Sequence, residues 1–176
     1  MPEPLVHYII PFIILGMLGI SIKKAALFSL LAILPDIDVI FHIHRSFSHS
    51  IFFILFFAPP AIMITYNYYE PLFKDSIIAT LVVLTHPFMD MFDNYTPVFW
   101  PLYSKSIHLV AECTTNMNNV FDLNFNFNIL TKPILFYKTV EIDTHIFSSV
   151  GVGVSILLLT GLILKNLYLK PPSSQP

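Results

Sequence analysis

The sequence predicts an all-α fold: an integral membrane bundle of about five helical spans, with one extracytoplasmic polar segment after the fourth. Two observations carry this. Hydrophobic residues make up 55% of the 176 and charged residues 11%, with a mean hydropathy of +0.72, where soluble domains average about 25% charged residues. The apolar residues also gather into five runs near the length of roughly 17–25 residues that a spanning helix needs. A chain of this size makes one domain, expected over residues 1–170, with 171–176 as a disordered tail. The net charge of −2 gives no basis for nucleic-acid binding. The one cysteine rules out an internal disulfide.

Residues 5–22 form the first run, apolar apart from His7 and closed by Lys23 and Lys24. With no basic segment ahead of it, it reads as a retained span and not a cleaved signal. Residues 25–41 form the second run, with Pro35, Asp36 and Asp38 near its end. Residues 51–66 form the third and contain Pro59 and Pro60, which a membrane helix tolerates as a kink. Residues 77–92 form the fourth, with His86 and Asp90. The third and fourth are short for a span and need flanking residues, or else are buried helices. Residues 146–164 form the fifth run, free of charge. Between the fourth and fifth, residues 122–129 alternate Asn with apolar residues, the period of a strand.

Lysines set the expected orientation. Lys23 and Lys24, Lys74, and Lys165 with Lys170 fall on one side of a five-span chain, and basic residues mark the cytoplasmic side. The N-terminus is then outside and the C-terminus cytoplasmic. His7, the 34–50 stretch, and the end of the fourth run share the outer face.

That face collects the chemistry. Residues 34–50 hold Asp36, Asp38, His42, His44, Arg45, Ser48 and His49, a set that no apolar core requires. Carboxylate and imidazole are the usual ligands of zinc and similar ions. His86 and Asp90 stand at i and i+4, one turn apart on one helix face. Each aspartate at a span's centre costs about 2.5–3.5 kcal/mol, so these acids need partners, and intramembrane ionisable residues are functional by default. Helix termination at Pro35 and a mutually satisfied His86–Asp90 pair are the plain alternatives. His42, His108 and His145 read as idle; His108 and Glu112 have helical spacing for a further ion.

Four motifs in order resemble one family. They are His7; Leu34-Pro35-Asp36-Ile37-Asp38; the 44–50 stretch H-R-S-F-S-H-S; and the 86–91 stretch H-P-F-M-D-M leading to Thr96-Pro97 and Trp100-Pro101. Together they resemble the YdjM-type inner-membrane-associated metal-dependent hydrolases over about the first hundred residues. Val98 and Phe99 stand where that family usually has Gly, which bears on the shape of this loop. The family in turn is similar to zinc-dependent phospholipase C and P1-type nucleases, whose H-x-x-x-D aspartate can bridge two ions. That likeness makes Asp90 the bridging candidate.

The expected function is membrane-bound, metal-dependent cleavage of a phosphoester by activated water, on a membrane lipid or lipid-linked substrate. The expected ligands are His7, Asp36, Asp38, His44, His49, His86 and Asp90, holding a divalent ion, with zinc as the first choice. Arg45 would grip the phosphate through its planar fork, and Ser48 would hydrogen-bond the leaving oxygen or orient ligands. The alternative is a non-enzymatic membrane protein: a metal or proton transporter, or a scaffold with a structural ion.

Overall fold

The computed structural model describes residues 4–41, 45–116, 119–136 and 148–168. His42, His44, His145 and the 171–176 tail lie outside the described residues.

Helix α1, Pro4–Met17, opens on a proline, which suits a first turn whose N–H groups have no intrahelical partner. It stops at Gly19, whose φ of +84° favours glycine. There the Ile20 N–H donates to the Leu15 carbonyl (3.0 Å) and the Gly19 N–H to that of Gly16 (3.2 Å), the paired bonds that end a helix in a left-handed residue. Helix α2, Ile22–Leu30, has nine residues. The chain then tightens into a 3₁₀ segment, Leu31–Phe41, which contains Pro35 and both early aspartates. Proline has no N–H to continue an α-helical ladder.

A short 3₁₀ turn, Phe47–His49, leads into α3, Ile51–Tyr68. Ser50 caps α3 by accepting from the Phe52 N–H at 3.2 Å. Its hydroxyl also donates to the Trp100 carbonyl, and the Ile51 N–H donates to the Val98 carbonyl at 2.9 Å. The loop after α4 therefore clamps the start of α3. Helix α4, Phe73–Asp93, runs back beside α3. Strands β1 (Lys105–Asn116) and β2 (Asn119–Pro133) form an antiparallel hairpin. Helix α5, Ser149–Tyr168, returns to lie on α1.

One apolar core joins α1, α2, the long 3₁₀ segment and α4 through Leu15, Ala25, Phe28, Ala32 and Val82. A second joins α1 to α5 through Ile9, Ile13 and Leu162. Gly16 makes room there: a Cβ would stand 3.2 Å from a Leu162 methyl carbon. Lys24 pairs with Asp75 at 2.6 Å and Lys165 donates to the Met17 carbonyl at 2.6 Å. The α1, α2, α4 and α5 ends bearing these lysines thus lie opposite the ends bearing His7 and Asp90.

The five-span, all-α expectation is overturned. A two-stranded sheet is present, and among the described residues only Ile51–Tyr68 and Glu70–Asp93 are long and apolar enough to cross a membrane. The first run fails because the turn at Gly19 cuts it after 14 helical residues; the second fails because its α-helix ends at Leu30 and the chain continues as a 3₁₀ segment that contains Pro35. The two runs that looked shortest are the span-length ones, since each helix takes in flanking residues. Only 6% and 17% of their windows are buried within the protein, so they are not core helices of a soluble fold.

The Asn/apolar alternation at 122–129 lies within β2. One face of the hairpin carries the facing pairs Leu109/Ile129, Ala111/Phe127 and Cys113/Phe125. His108 and Glu112 are on β1, where four residues span about 13 Å, so their spacing does not bring them together.

Ser50→Ala removes both the α3 cap and the donor to the Trp100 carbonyl. The expected cost is about 1–2 kcal/mol, read as a lower unfolding midpoint in detergent. An unchanged midpoint would mean that the clamp between this loop and α3 carries no stability.

Candidate metal centre

The cluster forms where four chain segments meet. His7 comes from α1, Asp36 and Asp38 from the long 3₁₀ segment, His49 from the short 3₁₀ turn, and His86 and Asp90 from α4. His7, His49 and His86 have no exposed surface, and Asp90 has 2%.

His86 has its orientation fixed by the backbone. Its Nδ1 lies 2.7 Å from the Ala32 carbonyl. A carbonyl only accepts, so Nδ1 carries the proton and the Nε2 lone pair points into the cluster. His49 is held in the same sense. Its Nδ1 lies 3.1 Å from Ser48 Oγ and 3.3 Å from Asp38 Oδ2, which again turns Nε2 inward.

The two inward nitrogens are 3.1 Å apart. Asp36 Oδ1 lies 3.4 Å from His49 Nε2 and 3.3 Å from His86 Nε2. A tetrahedral zinc with ligands at about 2.0–2.1 Å spaces those ligands about 3.3–3.4 Å apart. The triangle of Asp36, His49 and His86 therefore has the edges of three ligands on one ion, with a fourth position left over. Asp90 Oδ2 flanks the same two nitrogens at 3.3 Å and 3.8 Å. Its other oxygen, Oδ1, lies 3.2 Å from His7 Nε2, and the His7 ring stacks on His86 with centroids 3.9 Å apart. His7 Nε2 is turned to Asp90 in that pair, while His7 Nδ1 has no hydrogen-bond partner among the described residues. A buried ring nitrogen in that state calls for a partner.

Among the described residues two groups could hold an ion: Asp36, His49 and His86; and His7, His86 and Asp90. His86 belongs to both but has one inward lone pair, so it serves one ion at a time.

His44 lies outside the described residues, and the other sequence candidates, Asp38, Ser48 and Arg45, sit one layer out. Asp38 is in neither group. It accepts from the Ser46 N–H at 2.8 Å and from Ser48 Oγ at 3.0 Å, facing the outer nitrogen of His49. That is where a carboxylate steers a ligating histidine. Ser48 joins Asp38 to His49. Arg45 is buried, with φ of 55°, a conformation uncommon outside glycine. Its Nε donates to Asp90 Oδ2 at 3.2 Å and its Nη2 to Asp93 Oδ2 at 2.6 Å. Asp93 was missed in the sequence, although its position one turn after Asp90 was a usable signal. The Ala32 carbonyl and the Ser46 N–H are backbone groups with no signature in residue type.

A family model described as YdjM inner membrane protein matches residues 3–167. The chain belongs to this family. The match runs well past the hundred residues that carry the four motifs and takes in the hairpin and α5. No curated protein matches the chain, and no solved structure does. With two exposed, span-length apolar helices, this YdjM-family protein is membrane-associated.

Electrostatics follow from the surplus of acid. Burial opposes the charge on Asp36, but hydrogen bonds from His49 and His86 outweigh it and hold its carboxyl well below the usual range. Burial likewise opposes a charge on His49, but Asp36 and Asp38, then the charge of Asp90, raise it to about 9. In the ion-free protein at neutral pH, His49 thus holds a proton. An ion needs the lone pair of Nε2, so its binding must release that proton.

Divalent-ion affinity should therefore climb with pH, by up to about tenfold per unit, and level off above about 9. Asp36 is ionised throughout and adds no slope. Competition titrations from pH 6 to 10 read this directly, and a flat profile would remove His49 from the ligand set.

Proposed function

We propose that this YdjM-family protein is a membrane-bound, metal-dependent hydrolase that cleaves a phosphoester of a lipid or lipid-linked substrate. The observation that carries it is the Asp36–His49–His86 triangle, with edges of 3.1, 3.3 and 3.4 Å. Three protein ligands with a fourth position open is the pattern of catalytic zinc sites, whereas structural sites are closed. Zinc is the ion proposed, and when bound it supplies activation of water near neutral pH and polarisation of a phosphoryl oxygen.

The chain's own residues divide the remaining work. Asp38 and Ser48 hold His49 in the tautomer whose Nε2 faces inward. The Ala32 carbonyl does the same for His86. Arg45 donates to Asp90 and Asp93 through Nε and Nη2, and its remaining guanidinium N–H groups are the proposed contact for a phosphate oxygen. Asp90, between His7 and the two inward nitrogens, would carry any second ion.

A second reading has one observation in its favour. Asp90 Oδ2 is close enough to His49 Nε2 and His86 Nε2 to complete a four-coordinate shell. The centre would then be structural, and the protein would be a scaffold without hydrolytic activity.

Purified protein should retain a divalent ion and cleave members of a panel of phospholipids and soluble phosphodiesters, with a chelator abolishing cleavage. Asp36→Asn and His86→Ala should each lose activity by at least about 100-fold, while Asp38→Asn should weaken ion affinity by about 10–100-fold. An ion-loaded protein that cleaves nothing, and whose unfolding midpoint falls on chelation, would favour the structural reading.

We further propose that the cluster end faces outward and the lysine end inward, from the positive-inside rule. The exposed native Cys113 on β1 reports the cluster end, because the hairpin follows directly from that end of α4. An impermeant maleimide should label it in intact cells. In a Cys113→Ser background, Tyr69→Cys at the lysine end should label only after permeabilisation. The reverse pattern would invert the orientation.

A further inference from the structure

A second feature adjoins the cluster. Between α3 and α4 lies a cavity of about 410 Å³, within the range of about 300–1,000 Å³ typical of ligand pockets. It exists because the facing residues are small: Ala58 and Ala61 on α3, Ser76, Ala79 and Thr80 on α4. Their short side chains cannot fill the gap that larger residues elsewhere on these helices would. The wall hydroxyls are already used, since Ser76 donates to the Phe73 carbonyl at 2.7 Å and Thr80 to the Ser76 carbonyl at 2.9 Å. What remains for an occupant is hydrocarbon.

The shape and position of the cavity define the occupant further. Its lining on α3 runs from Phe53 to Ala61 and on α4 from Ser76 to Val83. At 1.5 Å per residue that is a groove about 10–12 Å long, parallel to the helix axes. One end meets Ser48 and Pro35. Ser48 is bonded to Asp38 and His49, and Pro35 precedes the ligand candidate Asp36. Half-exposed Leu34 of the long 3₁₀ segment and Phe57 of α3 also line it, and α3 and α4 are the two helices long enough to cross a membrane. A slot that is apolar along its length, runs along two span-length helices and ends at a cluster of ionisable groups has the pattern of a lipid: one chain with a polar head.

We infer that the α3–α4 groove binds one hydrocarbon chain of a membrane lipid and presents that lipid's phosphate-bearing head to the Asp36–His49–His86 centre. The chain site stands on the groove alone; the fate of the head rests on the hydrolase reading above.

The full-length protein is reconstituted in vesicles containing a phospholipid with a mid-chain diazirine, irradiated, and mapped by mass spectrometry. Adducts should concentrate on Ala58, Ala61, Ala79 and Thr80. The double variant Ala61→Phe, Ala79→Phe fills the groove and should lower those adducts by about tenfold while keeping its metal content, which shows that it is folded. Even labelling over exposed positions such as Phe56 and Leu81, or undiminished groove adducts in the filled variant, would overturn the inference. In the activity arm, the filled variant should lose cleavage of long-chain phospholipid but keep that of a short soluble phosphodiester; equal loss of both would argue against a chain subsite. If the native protein cleaves neither substrate, the hydrolase reading falls, and the adduct map still decides whether the groove holds a chain.

Discussion

Four carboxylates around one arginine and one buried histidine set the terms for this structure. Asp90 and Asp93 share Arg45, while Asp36 and Asp38 face His49. Excess negative charge is costly in a poorly hydrated site, because desolvation is only repaid by opposite charge at close range. A cation must therefore enter. Without a metal the cation is a proton on His49, which explains its rise to about 9. With a divalent ion, the proton leaves and the same geometry becomes a ligand set. Proton and metal compete for one vacancy in the charge balance, created by the acids and not by the imidazoles.

That requirement accounts for irregular features of the fold. Helix α2 gives way to a long 3₁₀ segment, and its tighter winding turns Asp36 and Asp38 to different sides of the site. Asp36 reaches the inner nitrogens of His49 and His86, while Asp38 reaches the outer nitrogen of His49. Arg45 adopts a left-handed conformation as its guanidinium reaches across to α4. Strained or irregular backbone of this kind gathers at functional sites. The regular helices α1 and α4 do the simpler task of supplying His7, His86 and Asp90 at fixed heights.

The residue types of the cluster were legible in the sequence because they are expensive. Acids and histidines inside apolar runs stand out against their background, and the i, i+4 spacing of His86 and Asp90 already placed them together. The roles were less legible. Asp36 and Asp38 look equivalent in sequence, and only the winding of the segment separates an inward carboxylate from an outward one. The number of spans was misread because hydropathy averages over breaks. Gly19 ends α1 through two backbone hydrogen bonds, and a sliding apolar count does not register them. The hairpin was half visible: alternation marked β2, but in β1 the apolar Val110 falls between His108 and Glu112 and blurs the period. The α3–α4 groove was not visible at all, since small residues in an apolar run signal close packing as readily as a gap.

The distribution of charge also bears on the transport alternative. A permeation path for a metal or proton needs ionisable groups at intervals through the membrane. On α4, Asp75 sits at one end and is paired with Lys24. His86, Asp90 and Asp93 sit at the other. Residues 76–85 between them contain no acid, base or histidine. Helix α3 has no charged residue over Ile51–Tyr68. The space between these helices is lined mostly by carbon, and the Ser76 and Thr80 hydroxyls donate to backbone carbonyls. A cation moving along it would exchange the carboxylates of the cluster for hydrocarbon, at a cost of many kcal/mol that nothing in the groove offsets. The same lining costs an alkyl chain nothing. Charge is thus kept at one end of α4 with an apolar lining beside it, an arrangement that fits the lipid proposal better than passage of an ion.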